Sequence, residues 1–309
     1  MIKIKNFLNY YYHLYPVEII KDGINYKFYL NDKLYILYLV NNQEQEIKEQ
    51  VSLNKSLAYC NNYPSLIIDN AFNNYSSLID GKNYILVCYN LLNRKVIVED
   101  LVKDIYLNYN DYLILNRSDW YNLWCRKIDY FEYQKPYIKD KYPLLYNSID
   151  YFIGYTEVAI SYLSEVNKSI KKSSKDNLTI CHKRIHLNDD LNSFYNPLSL
   201  IIDYKVRDIS EYLKDLFFYG YQDEQIKKLL LSVNSSYQRH LLMARVLFPS
   251  FYFDCYEDII NGVENEDKII TILDKIKDYE DFLFYLYNLL RESGFLIQID
   301  FLENLNFPH

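Results

Sequence analysis

Residues 25–31 alternate, with Tyr26, Phe28 and Leu30 on one side, and after Asn31-Asp32 a second β-rich run covers 34–40. A period-two pattern, a pair of residues suited to a tight turn and a further apolar run predict a β-hairpin. Over 43–59 the period changes. Ile47, Val51, Asn54 and Ala58 recur near helical spacing, with Glu44, Glu46, Lys48 and Glu49 between them, which predicts an amphipathic helix. Two more strand candidates follow at 65–69 and 84–91, joined through a turn containing Asp80-Gly81. The expected order is strand, strand, helix, strand, strand.

Beyond residue 93 the pattern turns helical. Tyr155, Val158, Ala159, Tyr162, Leu163 and Val166 follow i, i+3, i+4, i+7, i+8, i+11, so 151–166 should bury one face. Further helices are expected at 209–218, 223–232, 236–247, 254–261, 267–277 and 281–292. The last has Asp278 and Glu280 before it, Arg291 in its final turn and Gly294 just past it. One interruption stands out: 178–181 and 199–203 are short β-rich runs, Pro197 suits a strand entry, and a polar loop, 182–196, lies between them. The polar, basic stretch 168–177 reads as a solvated loop. Together these divide an α+β chain into a small β-rich part with one helix, 1–94, and a mainly helical part, 95–309, carrying a polar hairpin at 178–204.

Composition narrows the function. With 34 basic against 41 acidic residues the net charge is −7, which argues against a surface built to bind nucleic-acid phosphates. Six glycines in 309 residues is about 2% where ~7% is usual, and no G-x-G-x-x-G, G-x-x-x-x-G-K-[ST] or G-x-S-x-G occurs. The start lacks a sustained apolar h-region, and the longest apolar run, 84–89, falls far short of a membrane span. Five widely spaced cysteines without C-x-x-C spacing fit reduced thiols in a cytosolic chain. The 36 tyrosines are read as codon bias rather than as a cross-linking device. Trp120 and Trp124, four apart, are read as core. The residues able to carry chemistry, His182, His186, Asp189, Asp190 and Asp203, gather in the hairpin.

Five stretches carry a resemblance: WCRKIDYFE (124–132), YFIGYTEVAISYL (151–163), ICHKRI (180–185), IIDYKVRDISEYL (201–213) and ARVLFPSFYFD (244–254). In this order they resemble the bacterial spore-coat kinase-like proteins, CotS-related, and most closely the YutH-like branch. The resemblance implies a protein-kinase-like two-lobe fold of the aminoglycoside phosphotransferase type. Phosphoryl transfer in that fold needs a strand lysine on the phosphates, a loop Asp, an Asn and an Asp for magnesium, and a glycine-rich cover.

Set on this chain, the lysine position falls near Tyr38, and the His-Gly-Asp triplet becomes His182-Lys183-Arg184, so a guanidinium replaces the proton acceptor. Asp189 stands seven residues after His182, where an Asn would help bind metal. Asp203 matches the metal-binding Asp, so Asp203 with Asp189 is the candidate metal pair; the plain alternative is that these acids are solvated or cap the loop. Arg207 and Asp208 match an architectural pair, and Asp208 is expected to accept backbone N–H bonds from the His182 loop. Arg184 is expected to pair with Asp203 or Asp208 and fill the cleft. His182 is expected to be a structural histidine. The resemblance therefore implies a catalytically degenerate protein that binds other spore-coat or sporulation proteins, in the mother-cell cytoplasm or the coat, without a cofactor. ATP and magnesium enter only under the alternative of a divergent phosphotransferase or nucleotidyl transferase.

Overall fold

The structure is a computed structural model, which describes residues 2–41, 43–61, 63–90, 94–101, 105, 109, 111–173, 176–187 and 190–304. Its first part holds α1 (Ile2–Tyr12), β1 (Ile20–Asp22), β2 (Asn25–Leu30), β3 (Lys33–Leu39), α2 (Glu44–Asn61), β4 (Ser65–Ile68), β5 (Ser77–Ile79) and β6 (Lys82–Asn90). The strands form one antiparallel sheet in the order β1-β2-β3-β6-β4, with β5 also on β6. Asn31 and Asp32 both adopt positive φ (51° and 57°), the requirement of the two-residue hairpin turn that joins β2 to β3. Asp80 and Gly81 (51° and 75°) repeat the device between β5 and β6.

Both faces of this sheet are covered. Phe28, Leu37, Tyr84 and Leu86 pack on Ile4, Phe7, Leu8 and Tyr12 of α1. Leu34, Ile85, Val87 and Tyr89 face Ile47 and Val51 of α2. A strand buried on both sides reads as an unbroken apolar run, which is why residues 84–89 of β6 show no alternation. The helix α1 and the strands β1 and β5 lie outside the expected order. The α1 spacing Ile4, Phe7, Leu8, Tyr12 is nonetheless a helical stripe, and β1 and β5 have three residues each, too few to show a period.

The second part is helical: α3 (Val98–Leu101), α4 (Trp120–Ile138), α5 (Pro143–Ser169), α6 (Leu191–Phe194), α7 (Val206–Tyr219), α8 (Asp223–Leu231), α9 (Ser236–Leu247), α10 (Ser250–Ile260), α11 (Lys268–Leu273), α12 (Ile276–Glu292) and α13 (Asp300–Asn304). The hairpin β7 (Leu178–His182) and β8 (Leu200–Tyr204) interrupts it. The small antiparallel-sheet lobe and larger helical lobe make an α+β, kinase-like architecture. The expected boundary at 94 adjoins residues 91–93, which lie outside the described residues. Several expected boundaries change: α5, α7, α10 and α12 start earlier than expected, at Pro143, Val206, Ser250 and Ile276. The helix expected over 267–277 breaks after Leu273, and α12 starts at Ile276, so Asp278 sits in its first turn rather than ahead of it. Residues 168–169 belong to α5, and Asp176, in the stretch read as solvated, is fully buried and accepts from Ser173 N (2.7 Å).

The lobes are fastened through α2. Leu53 and Leu57 pack against Tyr112, Leu115, Ile180, Leu200 and Ile202. The Glu49 carboxylate accepts the N–H groups of Ile114 (2.9 Å) and Leu115 (3.0 Å), while Leu115 O accepts Ile202 N–H and Ile202 O accepts Arg117 N–H. The segment around residue 115 thus bridges helix and hairpin, and its polar groups are satisfied on both sides.

Candidate functional site

The hairpin sets the site. His182 closes β7, and its backbone N–H donates to Asp208 Oδ1 (2.9 Å) while Nδ1 lies 2.7 Å from Oδ2. Phe194 covers the ring at 4.0 Å. Asp208 sits in the first turn of α7, where a carboxylate also meets the positive end of the helix dipole. Arg207 donates from Nε to His182 O (3.0 Å) and from Nη2 to Lys183 O (3.2 Å). The pair Arg207–Asp208 therefore holds both polar sides of the backbone that leads into the loop.

Asp203, in β8, is completely buried. Its carboxylate accepts the indole N–H of Trp120 (2.9 and 3.0 Å), its neighbour's backbone N–H from Tyr204 (2.8 Å) and Nη1 of Arg207 (2.8 Å). Burial raises its pKa, and Arg207 and Arg245 work against that rise. Every oxygen has a partner inside the protein. Asp189 lies outside the described residues. Asp190 accepts Ser193 N–H (2.7 Å) and caps α6. Among the described residues no three metal-ligating side chains come together.

Arg184 does not reach Asp203 or Asp208. Its guanidinium binds Asp254 of α10 through Nε and through Nη2 (2.5 Å) and also donates to Lys183 O (2.7 Å). The reason is positional: Arg207, one helical turn after Asp203, already occupies that carboxylate, and the chain past β7 turns toward α10. His186 is exposed, 3.4 Å from Asp215, and is not brought to His182's partners.

Tyr38 lies on the α2-facing side of β3 and shares a hydrogen bond with Tyr89 (2.8 Å); burial raises its pKa. Below it, the chain after β7 folds back against the sheet lobe. Leu191 N–H donates to Arg94 O (3.1 Å), Ser65 Oγ to Tyr195 O (2.7 Å) and the buried Gln50 Nε2 to Leu198 O (2.7 Å). Leu198 joins the apolar cluster of Ile36, Tyr38 and Val40. Residues 190–199 thereby pack against α2 and β4 of the sheet lobe.

A group of charges that the sequence reading passed over lies behind the hairpin. Glu211 accepts from Arg245 Nε (2.9 Å), Lys214 Nζ (3.1 Å) and Ser250 Oγ (3.0 Å), all buried. Burial would raise the Glu211 pKa, but Lys214, Arg245, Arg184 and Arg207 overcome it and hold it well below the usual value. Burial pushes Lys214 down to about 7 and Arg245 down to about 10. Arg245 also stacks on Trp120 (5.3 Å), Trp124 (5.9 Å) and Phe248 (5.7 Å). Periodicity gives no signal for Glu211 and Lys214, because α7 is buried all round from Val206 to Lys214.

Beyond Arg184 a groove of about 620 Å³ opens between α4, the 183–186 loop and α10. A neighbouring cavity of about 840 Å³ continues it toward α2 and shares Arg117, Leu123 and Lys183.

The fold is that of kinase-like solved structures. It superposes on an aminoglycoside phosphotransferase from Alicyclobacillus acidocaldarius subsp. acidocaldarius DSM 446 with a TM-score of 0.61 at 10% identity, covering 90% of this chain and 93% of that one. It superposes on spectinomycin phosphotransferase APH(9)-Ia, solved with ADP and spectinomycin, with a TM-score of 0.51 at 12% identity, covering 89% and 93%. At such identities the likeness speaks for the fold alone. Residues 5–286 match the family described as "Spore coat putative kinase YutH", and the chain belongs to that family. The endospore coat-associated protein YutH of Bacillus subtilis (strain 168) is 29% identical over 191 residues, 54% of this chain, and the match spans 55% of that relative's length.

Proposed function

We propose that the protein is a catalytically degenerate kinase-like member of its family that serves the spore coat by binding other coat or sporulation proteins, in the mother-cell cytoplasm or in the coat itself. The observation that carries this reading is the state of Asp203. Its oxygens are consumed by Trp120, Tyr204 N–H and Arg207, so a magnesium ion would have to break a buried, charge-assisted network to bind there. Among the described residues, the Asp203 carboxylate as it stands does not fit the metal.

Three further features support the reading. Arg184 stands where a general base would need to accept a proton, and a guanidinium bound to Asp254 cannot do so. Tyr38, bonded to Tyr89, offers no cation to phosphates. Residues 190–199 take up space under β3 that a nucleotide would need. Losing clamp, base and metal carboxylate together removes most of the electrostatic stabilisation that phosphoryl transfer relies on.

The test is incubation of the purified protein with γ-labelled ATP, magnesium and isolated coat proteins. The expected result is no label on any acceptor. Label that is transferred, and is lost in Asp203→Asn, would favour the divergent phosphotransferase or nucleotidyl transferase instead.

A further inference from the structure

The groove beyond Arg184 has a charge opposite to that of the whole protein. Of its lining side chains six are Lys or Arg and three are Asp or Glu, an excess of three positive charges (six minus three), on a chain of net −7. Most of these charges are already paired, Arg184 with Asp254, Lys127 with Glu257, Lys183 with Glu46 of α2 (2.7 Å) and Arg207 with Asp203, so the donors left to offer are those of Arg117 and Arg245. Arg117 forms no ion pair among the described residues. Arg245 is the decisive group. It is 4% exposed, lines the groove, and uses only Nε in a hydrogen bond, to Glu211; its two terminal nitrogens have no hydrogen-bond partner among the described residues. A buried guanidinium with two unused donor groups beside an open, cation-rich groove is built to receive an anion.

The shape bears on which anion. Trp124 and Phe248 give the groove an aromatic wall, and the second cavity extends it past Arg117 and Lys183 toward α2. A trench of this length suits an extended chain, and an aromatic wall suits the methylene stem of a glutamate as well as its charged end. Resting on the binding-protein reading above, we propose that this groove docks an acidic, glutamate- or aspartate-bearing peptide segment of a partner protein, with a carboxylate on Arg245, its neighbour on Arg117, and a further one sharing the Lys183 ammonium that Glu46 holds from the α2 side.

The two tryptophans of the chain, Trp120 and Trp124, both flank Arg245, so intrinsic fluorescence reports on the site. The full chain is titrated at low ionic strength with a hexaglutamate peptide, a hexalysine peptide and inorganic phosphate. The proposal expects a saturable change with hexaglutamate alone. It expects the affinity to fall at least tenfold in Arg117→Glu and in Lys183→Ala, whose thermal unfolding is followed alongside to show that they remain folded, and to fall again in high salt. No change with hexaglutamate at millimolar concentration, an equal response to hexalysine, or unaltered affinity in both variants would overturn it. Phosphate binding as tightly as the peptide would overturn it in favour of a small-anion site. Phosphoryl transfer measured on the same preparation tells the two readings apart: transfer would sink the binding-protein reading, whereas silence toward both ATP and hexaglutamate would sink only the groove.

Discussion

The space beneath β3 and the groove beyond Arg184 lie on two sides of one loop, yet they are finished in opposite ways. Under the sheet, residues 190–199 bring their own backbone to Gln50, Ser65 and Arg94, and Asp203 has no oxygen to spare. In the groove, Arg117 and Arg245 are lining residues, and neither Arg117 nor the terminal nitrogens of Arg245 have a hydrogen-bonding side-chain partner among the described residues. The first side is not fully satisfied either, since Gln50 Oε1, His182 Nε2 and Asn192 Oδ1 are buried without a hydrogen-bond partner among the described residues, so the contrast is one of packing and charge rather than of polar satisfaction. The difference teaches that one side of the loop is spent on packing residues 190–199 against the sheet lobe, while the other leaves cationic side chains lining a groove.

The largest expected effect lies in the charges behind the hairpin. Glu211→Ala leaves Arg245 and Lys214 buried without a counter-charge, and removing one partner of such a group costs about 3–5 kcal/mol; urea unfolding should show this, and a loss under 1 kcal/mol would mean that the network is looser than its distances suggest. Asp203→Asn deprives Arg207 of its carboxylate, with an expected loss of about 3 kcal/mol. If Asp203 served a metal instead of the fold, that substitution would leave stability nearly untouched.

Next comes the fastening of the lobes. Glu49→Ala removes two backbone hydrogen bonds to a carboxylate, and one such bond to a charged group is worth about 1.5–3 kcal/mol. Hydrogen exchange at Ile114 and Leu115 should quicken before the amides of β6 do.

Lys214 makes a pH prediction. Its folded pKa, about 7, lies below its unfolded value near 10.4, so between these the unfolded chain holds more protons and stability rises with pH, by at most ~1.4 kcal/mol per unit. The gain is absent below pH 7 and accrues upward from there. Glu211, Arg245 and Ser250 face the ammonium, and Cys and Tyr groups with raised pKa values act in the other direction as the pH climbs. The readout is therefore the difference between wild type and Lys214→Met from pH 6 to 9, which should show a rising slope in wild type that the variant lacks. The smallest effect is expected at the groove rim: breaking the part-exposed Lys127–Glu257 pair (2.8 Å) by Lys127→Ala should cost under 1 kcal/mol.

Legibility in the sequence followed locality. The β2–β3 hairpin was readable because Asn31-Asp32 and the alternation around it lie within a dozen residues, and β6 because burial on both faces left an unbroken apolar run. The helix α1 was overlooked although its stripe was visible, because that segment was weighed only as a leader. At the site, the positions of Tyr38, His182, Arg184, Asp203 and Asp208 came from resemblance. Asp208 accepts the His182 backbone N–H as expected, but what the other side chains touch did not follow. Asp254 is 70 residues from Arg184 and Trp120 is 83 from Asp203, and no spacing rule chooses among carboxylates and cations at such separations. The buried charges of α7 and α9 were hidden for a related reason: α7 is buried all round from Val206 to Lys214, so Glu211 and Lys214 sit where periodicity would place a solvated face.

Isothermal titration of the wild-type protein with magnesium and ATP at millimolar concentration tests the central claim most directly. With Asp203 consumed and residues 190–199 beneath β3, no saturable heat should be released, and Asp203→Asn should behave the same. A saturable, magnesium-dependent heat that disappears in Asp203→Asn, with that variant still folded, would contradict the account.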